Sequence, residues 1–309
     1  MNAFLAEFGK KLADRWIATL AAPGLFFLGA LVAAYRLGQT GALDVRDLQQ
    51  WLSTLVTGNT SAGTVIFWSA IALALGLVLG LTAAALGQLV ERLWTVPGGS
   101  SFFRRLTERR RAQWTEADGR VGAAREAAAK EQGRAAAGLQ NNVRRASAAL
   151  DKALADRDAI SLLEPERPTW VGDRFRAADL RVLRFYDLEL RSAWPRLWAL
   201  VPDGLRADLA TARTAYAESA RLVGWGVLYA VLACRWWPAL AVAAVLATAG
   251  WVRSRATAGV LADLVETAVD LHAAELAERL GVTADGTFST DKGRTVTALL
   301  RKDTAADGS

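Results

Sequence analysis

The feature that most constrains this chain is a gap in its charge: residues 48–90 contain no Asp, Glu, Lys or Arg. Within that gap, Thr64 to about Gly87 reads as an uninterrupted apolar helix, and about 20 such residues suffice to cross a hydrocarbon core about 30 Å thick. Charge gathers instead between Phe103 and Arg184. This segregation points to a lipid-embedded part and a water-soluble part in one chain rather than to a single soluble globule.

Two further regions have the same character. Trp16–Tyr35 carries no charge and follows Lys10, Lys11 and Arg15. A signal peptide cleaved after Val32-Ala33-Ala34 is one reading, but the apolar stretch is longer than an ordinary signal core and runs up to the cut, which favours a retained span. Leu222–Val252 holds one charge, Arg235. A straight helix of that length would be about 46 Å, too long for one span without steep tilt. Arg235-Trp236-Trp237-Pro238 suggests a break, since proline opens helices well and paired tryptophans with arginine suit the lipid–water boundary. The region reads as a hairpin with short arms at 219–234 and 238–252. A re-entrant hairpin and a single tilted span stay open, and a buried mid-span Arg235 would instead mark a gate.

Positive charge orients these segments. With four spans and the N-terminus inside, fourteen Lys and Arg near span ends fall on the cytosolic side and three (Arg36, Arg46 and Arg235) outside. The sequence therefore predicts an all-α protein of four spans in the cell (cytoplasmic) membrane, both termini cytosolic. Its order is a cytosolic segment 1–15, spans at 16–35 and 64–90, a cytosolic helical domain 91–218, and spans at 219–234 and 238–252 joined by an outer turn 235–237. The outer loop 36–63 includes an amphipathic helix over 44–57, an amphipathic helix follows over 253–281, and a polar tail covers 282–309, with room for one short helix at Lys292–Arg301.

Within this frame, Gly76 and Gly80 stand in GxxxG spacing with Ala84 on the same face, a pattern that lets helix backbones approach closely in lipid, although glycine and alanine are also simply common in membrane helices. Arg235, Trp236, Trp237 and Pro238 form the candidate gating or interface turn. Arg104, Arg105, Arg109, Arg110 and Arg111, just inside the membrane, are candidate contacts for anionic lipid headgroups, at about 1 kcal/mol per basic residue. From Trp114 to Leu154 an Ala-rich seam recurs at threes and fours; Gly133 and Gly138 weaken its middle, so one long coiled-coil helix and a hairpin turning near 132–138 both fit. Such a thin seam buries little by itself, which points to a homo-oligomer or a protein partner. Asp173 is placed to cap a helix running to about Asp187, Trp194-Pro195 to open or kink another, and Pro202-Asp203 to start a long helix entering the third span.

Pro168-Thr-Trp-Val-Gly-Asp-Arg174, Trp194-Pro-Arg-Leu-Trp198 and Gly224-Trp-Gly226 resemble uncharacterised polytopic membrane proteins of high-GC Gram-positive bacteria, over roughly the C-terminal half. The resemblance implies membrane topology and carries no activity.

Catalytic chemistry is poorly provided for. His272 is the single histidine and Cys234 the single cysteine, too few for a triad or a common zinc site, so no catalytic residue, metal or cofactor is expected. Gly58–Thr64 has glycine spacing like a P-loop but lacks its lysine. Arginine outnumbers lysine 31 to 6, and the net charge of +6 is accounted for by cytosolic loops without nucleic acid. The expected function is a non-enzymatic membrane anchor or scaffold. The alternatives are an effector that permeabilises the bilayer when its cytosolic domain is triggered, and a channel or transporter subunit.

Overall fold

A computed structural model describes residues 21–44, 46, 49–50, 53, 61–97, 101–139, 142–282 and 288–302. Among them the elements are all helical: α1 (Ala22–Leu37), α2 (Ala62–Thr95), α3 (Ser101–Ala136), α4 (Val143–Ile160), α5 (Trp170–Tyr186), α6 (Leu190–Leu200), α7 (Asp203–Ala233), α8 (Pro238–Arg279) and α9 (Thr290–Arg301). The chain forms two compact units, Met1–Glu91 with Ala217–Ser254, and Arg92–Tyr216 with Arg255–Ser309. Residues 16–20 of the expected first span and most of the expected amphipathic helix 44–57 lie outside the described residues.

The first unit packs small residues inward. A Cβ on Gly24 of α1 would strike the carbonyl of Gly76 on α2. A Cβ on Gly224 of α7 would strike the carbonyl of Ala83 and come within 3.0 Å of the Gly87 nitrogen. A Cβ on Gly250 of α8 would come within 2.9 Å of the Ser219 carbonyl on α7. Backbones therefore touch where the helices cross, which maximises dispersion contact between helices and needs no hydrophobic effect. Phe27, Trp225 and Leu232 fill the remaining interior with Ala34, Ala83 and Ala239. Large apolar side chains point outward from the same helices: Ile66, Phe67 and Trp68 on α2, Val231 on α7, and Leu240 and Val245 on α8 are all exposed. Only 11% of the most apolar window of α2 is buried. A water-soluble domain places these two classes of residue the other way round. Among the described residues, the α2 segment Gly63–Thr95 is the helix long and apolar enough to cross a membrane, and α1 is apolar but shorter.

The second unit is built conventionally. Its main core joins Val182, Leu188, Leu197, Val269, Leu276 and Val296 with their neighbours. A second cluster sets Val201, Leu209 and Ala268 against Trp194 and Trp198. Between the two readings of the Ala-rich stretch, the structure has the hairpin: α3 ends in Gly138 at φ +71°, and the Leu139 amide donates back to Arg134 at 3.0 Å. This is the left-handed C-cap that glycine provides at no steric cost. Ala117, Val121 and Ala128 of α3 are buried along the seam, while α4 has no buried residue.

Two local expectations shift. Thr169, not Asp173, caps α5, its side chain accepting from the Gly172 amide at 3.1 Å. Asp173 lies in the first turn, where its charge favours the helix N-terminus. Helix α6 starts at Leu190, so Pro195 sits inside it rather than at its opening. The short helix expected at Lys292–Arg301 is present as α9, which starts at Thr290 and buries Gly293, Val296 and Leu300.

Replacing Gly224 by Val forces apart the α2–α7 contact and lowers unfolding stability by about 1–3 kcal/mol. Gly119→Ala, where a Cβ meets nothing within 4 Å, leaves stability unchanged or raises it by up to about 1 kcal/mol. Thermal unfolding of the two detergent-solubilised variants, followed by circular dichroism, measures both.

Candidate functional site

Three arrangements of polar side chains stand out: the tip of the α7–α8 hairpin, a junction around Pro168–Arg174, and a clamp on α9.

At the tip, α7 ends at Ala233 and Pro238 is the first residue of α8, so Arg235 lies in the connecting turn and is exposed rather than buried mid-helix. The turn is tied to the segment after α1. Gln39 Nε2 donates to the carbonyls of Ala233 and Cys234, each at 3.0 Å, and Gln39 Oε1 accepts from the Trp237 amide at 3.2 Å. Trp236 Nε1 donates to the Ala42 carbonyl at 2.9 Å. Gly38, at φ +61°, leaves room for the Arg235 guanidinium, which would stand 3.3 Å from a Cβ there. One glutamine amide thus serves carbonyls that α7 cannot pair internally and an amide at the start of α8, backbone groups that are costly to leave unpaired away from water.

The glycine stripe on α2 is nearly the expected one. Gly76 and Gly80 are buried and Ala84 is half-buried; the buried line bends through Ala83 and Gly87 because 3.6 residues per turn rotate a strict spacing of four off the contact face.

In the second unit, the stretch Pro168–Arg174 gathers several helices. Thr169 Oγ1 donates to the Trp94 carbonyl at 2.6 Å, and Arg167 donates to that of Thr95. Asp173 is buried and accepts from the amides of Glu166 (3.0 Å) and Arg167 (2.9 Å) and from Arg110 Nη2 (2.8 Å). Arg174, also buried, pairs with Asp263 and with Glu266, the latter at 2.9 Å, and Arg181 reaches Glu266 from the other side at 3.3 Å. The end of α4 is closed by four side chains. Trp170 Nε1 donates to the Asp158 carbonyl (3.3 Å), Arg255 to Ala159 (2.6 Å), Arg110 to Ile160 (2.8 Å) and Trp114 Nε1 to Ser161 (2.9 Å). Two guanidinium groups also suit the negative end of the helix dipole. Arg255 lies 5.0 Å from the Trp170 ring centroid, and burial, together with nearby Arg110, pulls its pKa below the usual arginine value.

The five arginines proposed for headgroups therefore separate. Arg110 turns inward to Asp173 and the Ile160 carbonyl, where its charge offsets that of the buried carboxylate. Arg111 pairs with Glu164 at 2.9 Å and Arg104 with Glu108 at 3.7 Å, both on the surface. Arg105 and Arg109 are exposed on one side of α3.

The sequence reading places the short helix α9 but not the surface that it clamps. A Cβ on Gly293 would strike the Tyr186 carbonyl, so α9 seats backbone to backbone on the end of α5. Arg294 donates to Asp187 at 2.9 Å. Arg301 binds Glu189 through two hydrogen bonds of 2.8 and 3.0 Å, and Ser192 donates to the same carboxylate. Arg301 first and Ser192 second hold the Glu189 carboxyl down at about 2. Nearby, burial and then the hydrogen bond to Asp270 (2.9 Å) push the Tyr186 phenol up to about 12. The pairing of Val296 and Leu300 four residues apart was the available sequence signal.

His272 stands 3.6 Å from Glu275 on the same helix, and among the described residues no group of three His, Cys, Asp or Glu side chains is placed to hold a metal ion. Comparison of the chain with protein families, with curated proteins and with solved structures finds no match.

Because the Glu189 carboxyl titrates lower in the folded protein than its ordinary value of about 4.3, its contribution is present above that value and is lost as pH falls towards 2. At pH 7, Glu189→Gln lowers stability by about 1 kcal/mol. The difference from the parent narrows below about pH 4.3 and is gone near pH 2. Denaturation monitored by circular dichroism across this range tests it; a gap independent of pH contradicts it.

Proposed function

We propose that this chain is a non-enzymatic, four-span integral anchor of the cell membrane. Its second unit is cytosolic, along with both termini, and docks a partner protein or a second copy of itself. The outward-facing apolar side chains around a glycine- and alanine-lined interior carry this reading. That arrangement is stable when lipid, not water, surrounds the helices, because large aliphatic side chains meet acyl chains and small ones let the helices meet each other.

Two of the spans are short. Residues 217–233 and 238–254 each cover about 25 Å as helix, so a bilayer about 30 Å thick thins around them or is matched by flanking side chains. The positive-charge bias supports the orientation, because each of the three soluble segments that it retains in the cytosol places lysine or arginine beside a span end. The α3–α4 hairpin supports the docking role: its mutual contact is an alanine seam, and α4 keeps every residue at least partly accessible.

Under this reading, a cytosol-active reporter fused after Ser309 is active, and cross-linking in native membranes recovers the chain with a neighbour or with itself through cysteines placed on α4. A reporter active only outside the cell, or recovery solely as a lone monomer, contradicts it.

A further inference from the structure

The first unit contains a groove of about 590 Å³ between α1, α7 and α8. Its α7 wall presents Glu218, Arg221, Trp225 and Tyr229, spaced three, four and four apart and so on one face of the helix. On α8, Val242, Leu246 and Arg253 run antiparallel to them, while Pro23 and Phe26 of α1 form the third side. The groove is graded. Arg221, Arg253 and Glu218 stand at one end, and aromatic and aliphatic side chains continue for about 12 Å along α7 from Arg221 to Tyr229. Glu218 lies 3.5 Å from Arg253, so among the described residues that line the mouth two guanidinium groups stand against one carboxylate, a surplus of one positive charge.

We propose that this groove is a binding site for one anionic phospholipid of the cytosolic leaflet. The headgroup phosphate sits between Arg221 and Arg253, and one acyl chain lies along Trp225, Leu246 and Tyr229. Charge selects the occupant, since a guanidinium pair binds a phosphodiester well and the surplus positive charge favours a headgroup without a compensating ammonium. The order of the walls selects it too: the basic residues lie at the end of α7 and α8 where positive charge places the cytosol, and the apolar walls extend toward the bilayer centre. Glu218 orients Arg253 and disfavours a second phosphate. The proposal rests on the anchor reading and specifies what that anchor recognises in the membrane.

Native mass spectrometry of the detergent-solubilised full chain, given equimolar dioleoylphosphatidylglycerol and dioleoylphosphatidylcholine, tests it. One phosphatidylglycerol is retained per chain with a preference of about tenfold, the scale set by two basic residues at a membrane surface. Arg221→Gln with Arg253→Gln abolishes the preference, Leu246→Trp lowers retention of both lipids by filling the groove, and Arg120→Gln with Arg125→Gln, both exposed on α3, changes neither. Circular dichroism of each variant matching the parent shows that folding is retained. Equal retention of the two lipids, or a preference that survives loss of both arginines, overturns the site while leaving a detergent-dependent membrane anchor. Recovery of the chain from the soluble fraction without detergent overturns both.

Discussion

Close contact between helix backbones is the constraint from which the first unit follows. At Gly24 against Gly76, and at Gly224 against Ala83 and Gly87, there is no room for a side chain. Once the interior is committed to small residues, the bulk of the apolar side chains faces outward, an arrangement that apolar surroundings favour. The exposed Ile66, Phe67, Val231 and Val245 are the consequence rather than an irregularity. The requirement then passes to the backbone polar groups at the hairpin tip, where Gln39 and Trp236 supply the missing hydrogen bonds.

The second unit is governed by different physics, since its charges are numerous and many are buried or half-buried. A buried Asp173 or Arg174 is tolerated because each is paired and further hydrogen-bonded; an isolated charge in either place would cost several kcal/mol. The same stretch of residues closes the end of α4 and locks the start of α5, so Pro168–Arg174 organises its surroundings without any chemistry of its own being needed. That gives a structural account of why proline, tryptophan, aspartate and arginine crowd into seven positions.

Much of the helical layout was legible in the sequence, because its signals are local. A charge gap marks α2, Trp236-Trp237-Pro238 breaks the hairpin, and Pro202-Asp203 opens α7. The pattern failed where tertiary contact overrode it. Arg110 belongs to a basic run by sequence but faces Asp173, 63 positions away. Asp173 resembled a cap, yet Thr169 has the extended backbone that a cap needs. The seating of α9 depends on Gly293 meeting a carbonyl more than a hundred residues earlier, which no periodicity encodes. Of the candidate site, residue types were readable and partners were not: Gln39 carried no signal until the loop after α1 met the α7–α8 turn.

The decisive question is which solvent touches the outward face of the first unit. With Cys234 replaced by Ser, single cysteines at Ile66, Val78, Leu240 and Val245 can be probed in sealed membranes by a water-soluble maleimide and by a lipid-soluble one. Embedding in the bilayer predicts that all four resist the first reagent until detergent is added and react with the second. Ready modification by the water-soluble maleimide in intact membranes would contradict the account.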